Sequence, residues 1–231
     1  MGIDSRLAAD LNARLDNIWR DQFSGADDVL APRYFHKTGA SDLLFVGLNP
    51  SFANDKIGVA LKKLGHEIAE PEVYFSWRNR DRFDLRVCAA LEGWAKENYA
   101  YYKHHHDLAE ELNCGLAQLD LFQFRRTTQK DYLDVLEKAP VFRDRQLQIF
   151  DDALAAFNPR CIIVANAKAS EIFKDRYGLK FDQGIGTYTL YKNGNMTPVF
   201  LSAQFSGGAL DRYSRERLFW HVAQAMRRPN S

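Results

Sequence analysis

The sequence predicts a three-layer α/β/α protein, with helices covering both faces of a mostly parallel central sheet. Three observations lead there. Two short runs, Leu43-Leu44-Phe45-Val46-Gly47-Leu48 and Cys161-Ile162-Ile163-Val164-Ala165, are continuously apolar rather than alternating, as in strands covered on both faces. Such strands alternate along the chain with amphipathic helical stretches, the pattern of a parallel sheet with crossover helices. The chain has 231 residues, a length that one α/β domain accommodates and that buries a core without help from disulfides or metals.

The elements follow in order. Residues 4–23 form an amphipathic helix, because Leu7, Leu11, Leu15, Ile18 and Trp19 share one face and Asp4 or Ser5 can cap it. Gly25, Ala31-Pro32 and Gly39 punctuate a loop over 24–42. The first strand covers 42–48. A polar connection over 50–80 contains Asn54-Asp55, Gly58, Gly65 and Pro71; loops of this length inside a compact domain usually carry function. Phe83, Val87, Ala90, Leu91 and Trp94 form one stripe of a helix over 81–98, and another helix covers 101–113. A second strand runs over 116–122, interrupted by Asp120. Helices over 129–139 and 143–157 are separated by Pro140. The third strand, 161–165, leads at once into a helix over 167–177. Strands over 185–191 and 198–202 are joined through Lys192-Asn193-Gly194-Asn195, a good turn sequence. A helix over 210–227 closes a single domain of residues 1–231, in which the helix 4–23 packs on a core of about 42–227.

Composition narrows the function classes. Apolar residues make up 46% and charged residues 26%, as in an ordinary globular protein. The net charge of +1 gives no global positive field, so a nucleic-acid partner would need a local basic face. Cys88, Cys114 and Cys161 are odd in number, far apart and without metal-ligand spacing, and they read as reduced thiols of a cytoplasmic protein. Asp4, Arg6 and Asp10 exclude a signal-peptide core from the first turns, and no apolar run approaches the ~20 residues that span a bilayer. The expectation is a monomer with no membrane partner. No zincin, paired-cysteine or phosphate-loop signature occurs, and Gly184-Ile185-Gly186 leads into a strand rather than a helix, so no cofactor or metal is expected. His104-His105-His106 is expected on an exposed helix face.

In open α/β sheets ligands bind beyond the carboxyl ends of the strands. Four polar groups follow the strands here: Asn49-Pro50-Ser51; Gln123, Arg125 and Arg126, with Asp120 just inside; Asn166 and Lys168; and Ser202, Gln204, Ser206, Gly207 and Gly208. Each has a bland alternative. Asn-Pro also makes an ordinary turn, Ser206-Gly207-Gly208 an ordinary loop, and Arg125-Arg126 a solvated surface.

Phe45-Val46-Gly47-Leu48-Asn49-Pro50 resembles the first motif of the uracil-DNA glycosylase superfamily, where the mismatch-specific and single-strand-selective branches carry Gly-x-Asn-Pro-Gly after the first core strand. Ile162 to Ala167 with Phe173 is similar to the family's third strand and following helix, and Val199 to Gly208 takes the place of its second motif. The similarity spans about 43–225. It implies a uracil-DNA glycosylase-like fold and a monofunctional DNA glycosylase that hydrolyses the N-glycosidic bond of a deaminated or modified base flipped out of DNA. Asn49 matches the water-orienting position, and Gln204 aligns with the second motif. Gly47, Leu48, Pro50, Ser51, Phe52, Asn166, Ser206 and Gly207 would border the base, and Phe75 or Trp77 would stack on it. Arg125, Arg126, Lys168 and Arg212 would contact DNA phosphates. Ser51 stands where Gly is usual, and Gln204 where His or Asn is expected. Asp120 lies where many relatives use Asn to read uracil; an ionised Asp accepts hydrogen bonds only and would favour a base edge that offers donors. The alternatives are a non-catalytic nucleic-acid-binding module and a nucleobase- or nucleoside-binding protein on the same fold.

Overall fold

The structure, a computed structural model, describes residues 2–25, 29–126, 129–192, 194–205 and 208–227. Its elements are α1 (Ser5–Gln22), β1 (Leu43–Gly47), α2 (Asn54–Lys63), α3 (Pro71–Tyr74), a 3-10 turn (Trp77–Arg82), α4 (Leu85–Asn98), α5 (Ala100–Glu111), β2 (Leu116–Asp120), α6 (Gln129–Lys138), α7 (Pro140–Phe157), β3 (Cys161–Ala165), α8 (Ala167–Tyr177), β4 (Lys180–Asp182), β5 (Thr187–Lys192), β6 (Asn195–Ser202) and α9 (Arg212–Arg227). One six-stranded sheet has the order β2-β1-β3-β6-β5-β4. The first four strands in that order are parallel, while β5 and β4 add an antiparallel edge.

Period-two alternation sorts each central strand between two cores. Leu44, Val46, Ala117, Leu119, Ile162, Val164 and Val199 face one layer, where α1, α6, α7 and α8 supply Leu11, Trp19, Tyr132, Phe150 and Phe173. Leu43, Phe45, Cys161, Ile163, Ala165 and Phe200 face the other, covered by Leu108 of α5 and Val222 of α9. The continuous apolar runs therefore have the predicted cause: both faces of the strand are buried.

Two expectations change. The polar connection over 50–80 is not a long loop. Ile57, Ala60 and Leu61 of α2 pack with Phe52, Phe75 and with Val87, Cys88 and Leu91 of α4 in a third cluster. Gly58 is tolerated inside α2, and Pro71 opens α3 at its first position, where its missing N–H is no loss. Pro140 acts likewise: it starts α7 at 140 rather than 143. The edge strand β4 is only three residues long and exposed, too short for a period signal.

The histidine run is also corrected. His106 is exposed, but His105 is only 1% exposed and stacks on Phe45 with ring centroids 3.9 Å apart. The side-chain amide of Gln118 lies 3.2 Å from His105 Nδ1, within hydrogen-bond reach of a neutral ring. Burial pushes the His105 pKa down from 6.5 to about 3. The neutral form is favoured in the folded chain, so the associated stability is present above pH 6.5 and is lost as pH falls toward about 3. His105→Phe is expected to remove a slope of up to about 1.4 kcal/mol per pH unit from unfolding free energies measured below pH 6.5. An unchanged slope in urea unfolding would contradict this.

Candidate functional site

The loops beyond the carboxyl ends of β1, β2, β3 and β6 enclose a cleft of about 820 Å³, inside the usual range for small-molecule sites. Leu48, Asn49, Pro50 and Ser51 enter it from β1, Asp120, Arg125 and Arg126 from β2, Asn166 from β3 and Gln204 from β6. The opposite wall is aromatic: Trp94 from α4, then Tyr99, Tyr101 and Tyr102 around the start of α5.

Three helices begin at this cleft, since Ala53, Tyr99 and Asn166 are the N-cap residues of α2, α5 and α8. Asn166 caps α8 through its own side chain, accepting from the Ala169 N–H at 3.0 Å. Neither α2 nor α5 has a side-chain cap, so the positive ends of their dipoles border the cleft without one.

Asn49 is held by the turn after β2. Its Nδ2 donates to the Arg126 carbonyl at 3.0 Å and, more weakly, to the Phe124 carbonyl at 3.4 Å. Those bonds fix the amide, and among the described residues none donates to Oδ1. The side chain thus presents a pre-oriented acceptor where β1 ends.

The floor is ionic. Arg33 donates to both oxygens of Glu92, at 2.8 and 3.0 Å, and to Asp120 Oδ2 at 2.8 Å. These three residues also line a second cavity of about 230 Å³ behind the cleft, together with His36 and Lys96. Burial alone would raise the Glu92 pKa, but the charge and paired bonds of Arg33 outweigh it and pull it from 4.5 to about 2. For Asp120 burial wins: its carboxyl is raised above the ordinary range despite Arg33. Gly47 makes room for this carboxylate, since a Cβ there would sit 2.2 Å from Asp120 Oδ1.

The structure therefore gathers Leu48, Asn49, Pro50, Ser51, Asp120, Arg125, Arg126, Asn166 and Gln204 at one cleft, with Gly47 beneath Asp120. Ser206 and Gly207 lie outside the described residues. The expected stacking aromatics are elsewhere. Phe75 is 1% exposed and its ring meets Phe52, Tyr74 and Phe83 in the third cluster, where Phe52 is also buried. Trp77 packs against the first core with the Arg80 guanidinium 5.7 Å from its ring centre. Both sit in a folded helical segment, so no loop carries them to the cleft. Two expected phosphate contacts are also outside it: Lys168 pairs with Glu171 and Arg212 with Glu216, each at 2.7 Å within its own helix. Asp120 reaches the cleft, but its Oδ2 is committed to Arg33 and its Oδ1 lies over Gly47, which narrows the acceptor edge it offers any ligand.

Sequence reading missed Arg33, Glu92, Lys56 and the three tyrosines. Arg33 lies in a stretch that reads as loop, and nothing local ties it to Glu92 or Asp120. No protein-family model and no curated protein matches the chain. Among the described residues there is no group of three potential metal ligands, and no helix is long and apolar enough to cross a membrane.

Proposed function

We propose that the cleft binds a nucleobase and that Asn49 positions water for hydrolysis of its N-glycosidic bond, the chemistry that the likeness of Gly47-Leu48-Asn49-Pro50 to the uracil-DNA glycosylase motif implies. The observation that carries this is the state of Asn49: its amide nitrogen is tied to Arg126, and its oxygen is left as an acceptor at the cleft. A carbonyl oxygen accepting a water proton aims a water lone pair without removing that proton. As the bond to the base breaks, positive charge grows on the sugar, so an oriented water needs little activation, while negative charge moves onto the base. Donors aimed at that charge lower the barrier. Gln204 lines this cleft and carries such an amide donor. The tyrosine and tryptophan wall takes the stacking role that Phe75 and Trp77 cannot.

An amide is a weaker base than a carboxylate, which gives the test its shape. In single-turnover cleavage of a modified-base oligonucleotide, Asn49→Ala is expected to lose about 10²–10⁴-fold in rate, while Asn49→Asp matches or exceeds the parent. Equal rates for Asn49→Ala and the parent would refute the assignment.

The cleft volume and the net charge of +1 favour a second reading, a nucleoside-binding protein on this scaffold. Thermal shifts with free nucleosides, together with inert oligonucleotides, would select it.

A further inference from the structure

We propose that the cleft also holds a phosphoryl anion, seated on the guanidinium of Arg125 beside the uncapped N-terminal turn of α2. Arg125 lines the cleft and is 8% exposed, yet among the described residues no carboxylate comes within ion-pair distance of it. The Phe75 ring lies 5.7 Å from the guanidinium carbon and covers one face, and among the described residues no acceptor takes up the in-plane donors. A buried guanidinium with no counter-charge is a costly arrangement unless something supplies the missing acceptors. The nearby carboxylates do not: Glu92 and Asp120 are both taken by Arg33.

The surroundings specify the sign and type of the missing group. The charged residues of the cleft wall are Arg33, Lys56, Arg125 and Arg126 against Glu92 and Asp120, so a positive excess remains once Arg33 has paired. Helix α2 is ten residues long, and the N–H groups of Asn54, Asp55 and Lys56 precede its first internal bond, from Ile57 to Ala53. Ala53 brings no side chain to cap them. Ala53, Lys56 and Ile57 bring this turn to the cleft lining, while the side chains of Asn54 and Asp55 are exposed outside it. A tetrahedral oxyanion suits this set, because it accepts from a planar fork on one side and from consecutive backbone N–H groups on the other.

The phosphoryl group could belong to a nucleoside monophosphate or to a nucleic-acid backbone. The inference goes beyond base hydrolysis and does not depend on it, since it concerns binding alone.

The test is thermal shift and titration calorimetry at low ionic strength with inorganic phosphate, a deoxynucleoside 5′-monophosphate and a short single-stranded oligonucleotide. Phosphate at about 10 mM is expected to raise the melting temperature of the parent protein by mass action. Arg125→Met is expected to melt no lower than the parent without ligand, because it removes an uncompensated charge, and to bind phosphate at least about tenfold more weakly. Arg125→Lys should recover part of the binding. No phosphate shift in the parent overturns the proposal, as does Arg125→Met that binds like the parent. If Arg125→Met fails to fold, the parent titration and Arg125→Lys decide. Tighter binding of the monophosphate than of phosphate identifies a mononucleotide; tighter binding of the oligonucleotide with a steep salt dependence identifies a backbone. Phosphate binding by a protein that cleaves no base would sink the hydrolytic reading and leave this one standing.

Discussion

Arg33→Met is expected to destabilise the protein by about 3–5 kcal/mol, with a deficit relative to the parent that shrinks as pH falls through mild acid. The residue is the shared partner of two carboxylates with 20% and 14% of their side-chain surface exposed. Removing it strands both charges in a place from which water is largely excluded. In the parent, the Glu92 pKa falls from 4.5 to about 2, so its contribution is fully present above pH 4.5 and is lost as pH drops toward about 2. Without Arg33, burial becomes the dominant influence and the Glu92 pKa rises. Relative to the parent, the variant should then recover stability as pH falls and the stranded carboxyls protonate. Urea unfolding between about pH 3 and 7 measures both effects, and Glu92→Gln in the Arg33→Met background should restore part of the loss. A variant that merely loses stability uniformly across that range would show that Arg33 serves packing and not charge.

Gly47→Ala is the second large effect, about 2–4 kcal/mol. The new methyl would stand 2.2 Å from Asp120 Oδ1 and 3.4 Å from its carboxyl carbon. A free side chain could swing aside at little cost. Asp120 is pinned by its Oδ2 bond to Arg33, so moving it weakens that pair as well. The two positions are therefore coupled: in an Asp120→Ala background the same glycine substitution should be close to neutral. A double-mutant cycle reads this directly, and additive losses would mean that Gly47 is required for some reason other than the carboxylate.

These two residues also show how much could be read from the chain. Asn49 was legible because it follows a strand whose five residues are all buried, and such strand ends are where α/β proteins place ligands, whereas Gly47, expected to border a base, instead makes room for Asp120. Asp120, Arg125, Arg126, Asn166 and Gln204 follow from the same rule applied to the other parallel strands. Arg33 was not legible. It acts across 59 residues on Glu92 and across 87 on Asp120, and no local period encodes a contact of that kind. The stretch over 50–80 misled for a different reason. Its charged residues sit on exposed turns of short helices, while Phe52, Ile57, Leu61 and Phe75 bury the other side against α4, and the breaker Pro71 is itself buried at the start of α3. The apolar signal is spread too thinly for one helical period, and the aromatics that looked available for stacking are the ones that hold the segment down. The tyrosines that do reach the cleft lie where α4 gives way to α5, a junction at which aromatic residues read as helix stripe.

The positive character of the cleft connects the ionic floor to its proposed chemistry. Arg33 neutralises the carboxylates that would otherwise repel an anionic ligand, and it thereby frees Arg125, Arg126 and Lys56 to face one. A chain of net charge +1 can present such a surface locally while remaining near neutral overall.

Incubation of the purified protein with single- and double-stranded oligonucleotides carrying deaminated or otherwise modified bases, with the released base identified by mass spectrometry, tests the central assignment most directly. Free base and an abasic strand from the parent, and neither from Asn49→Ala, is the predicted result. Intact oligonucleotides with every base tested, from a parent protein shown to be folded, would contradict it.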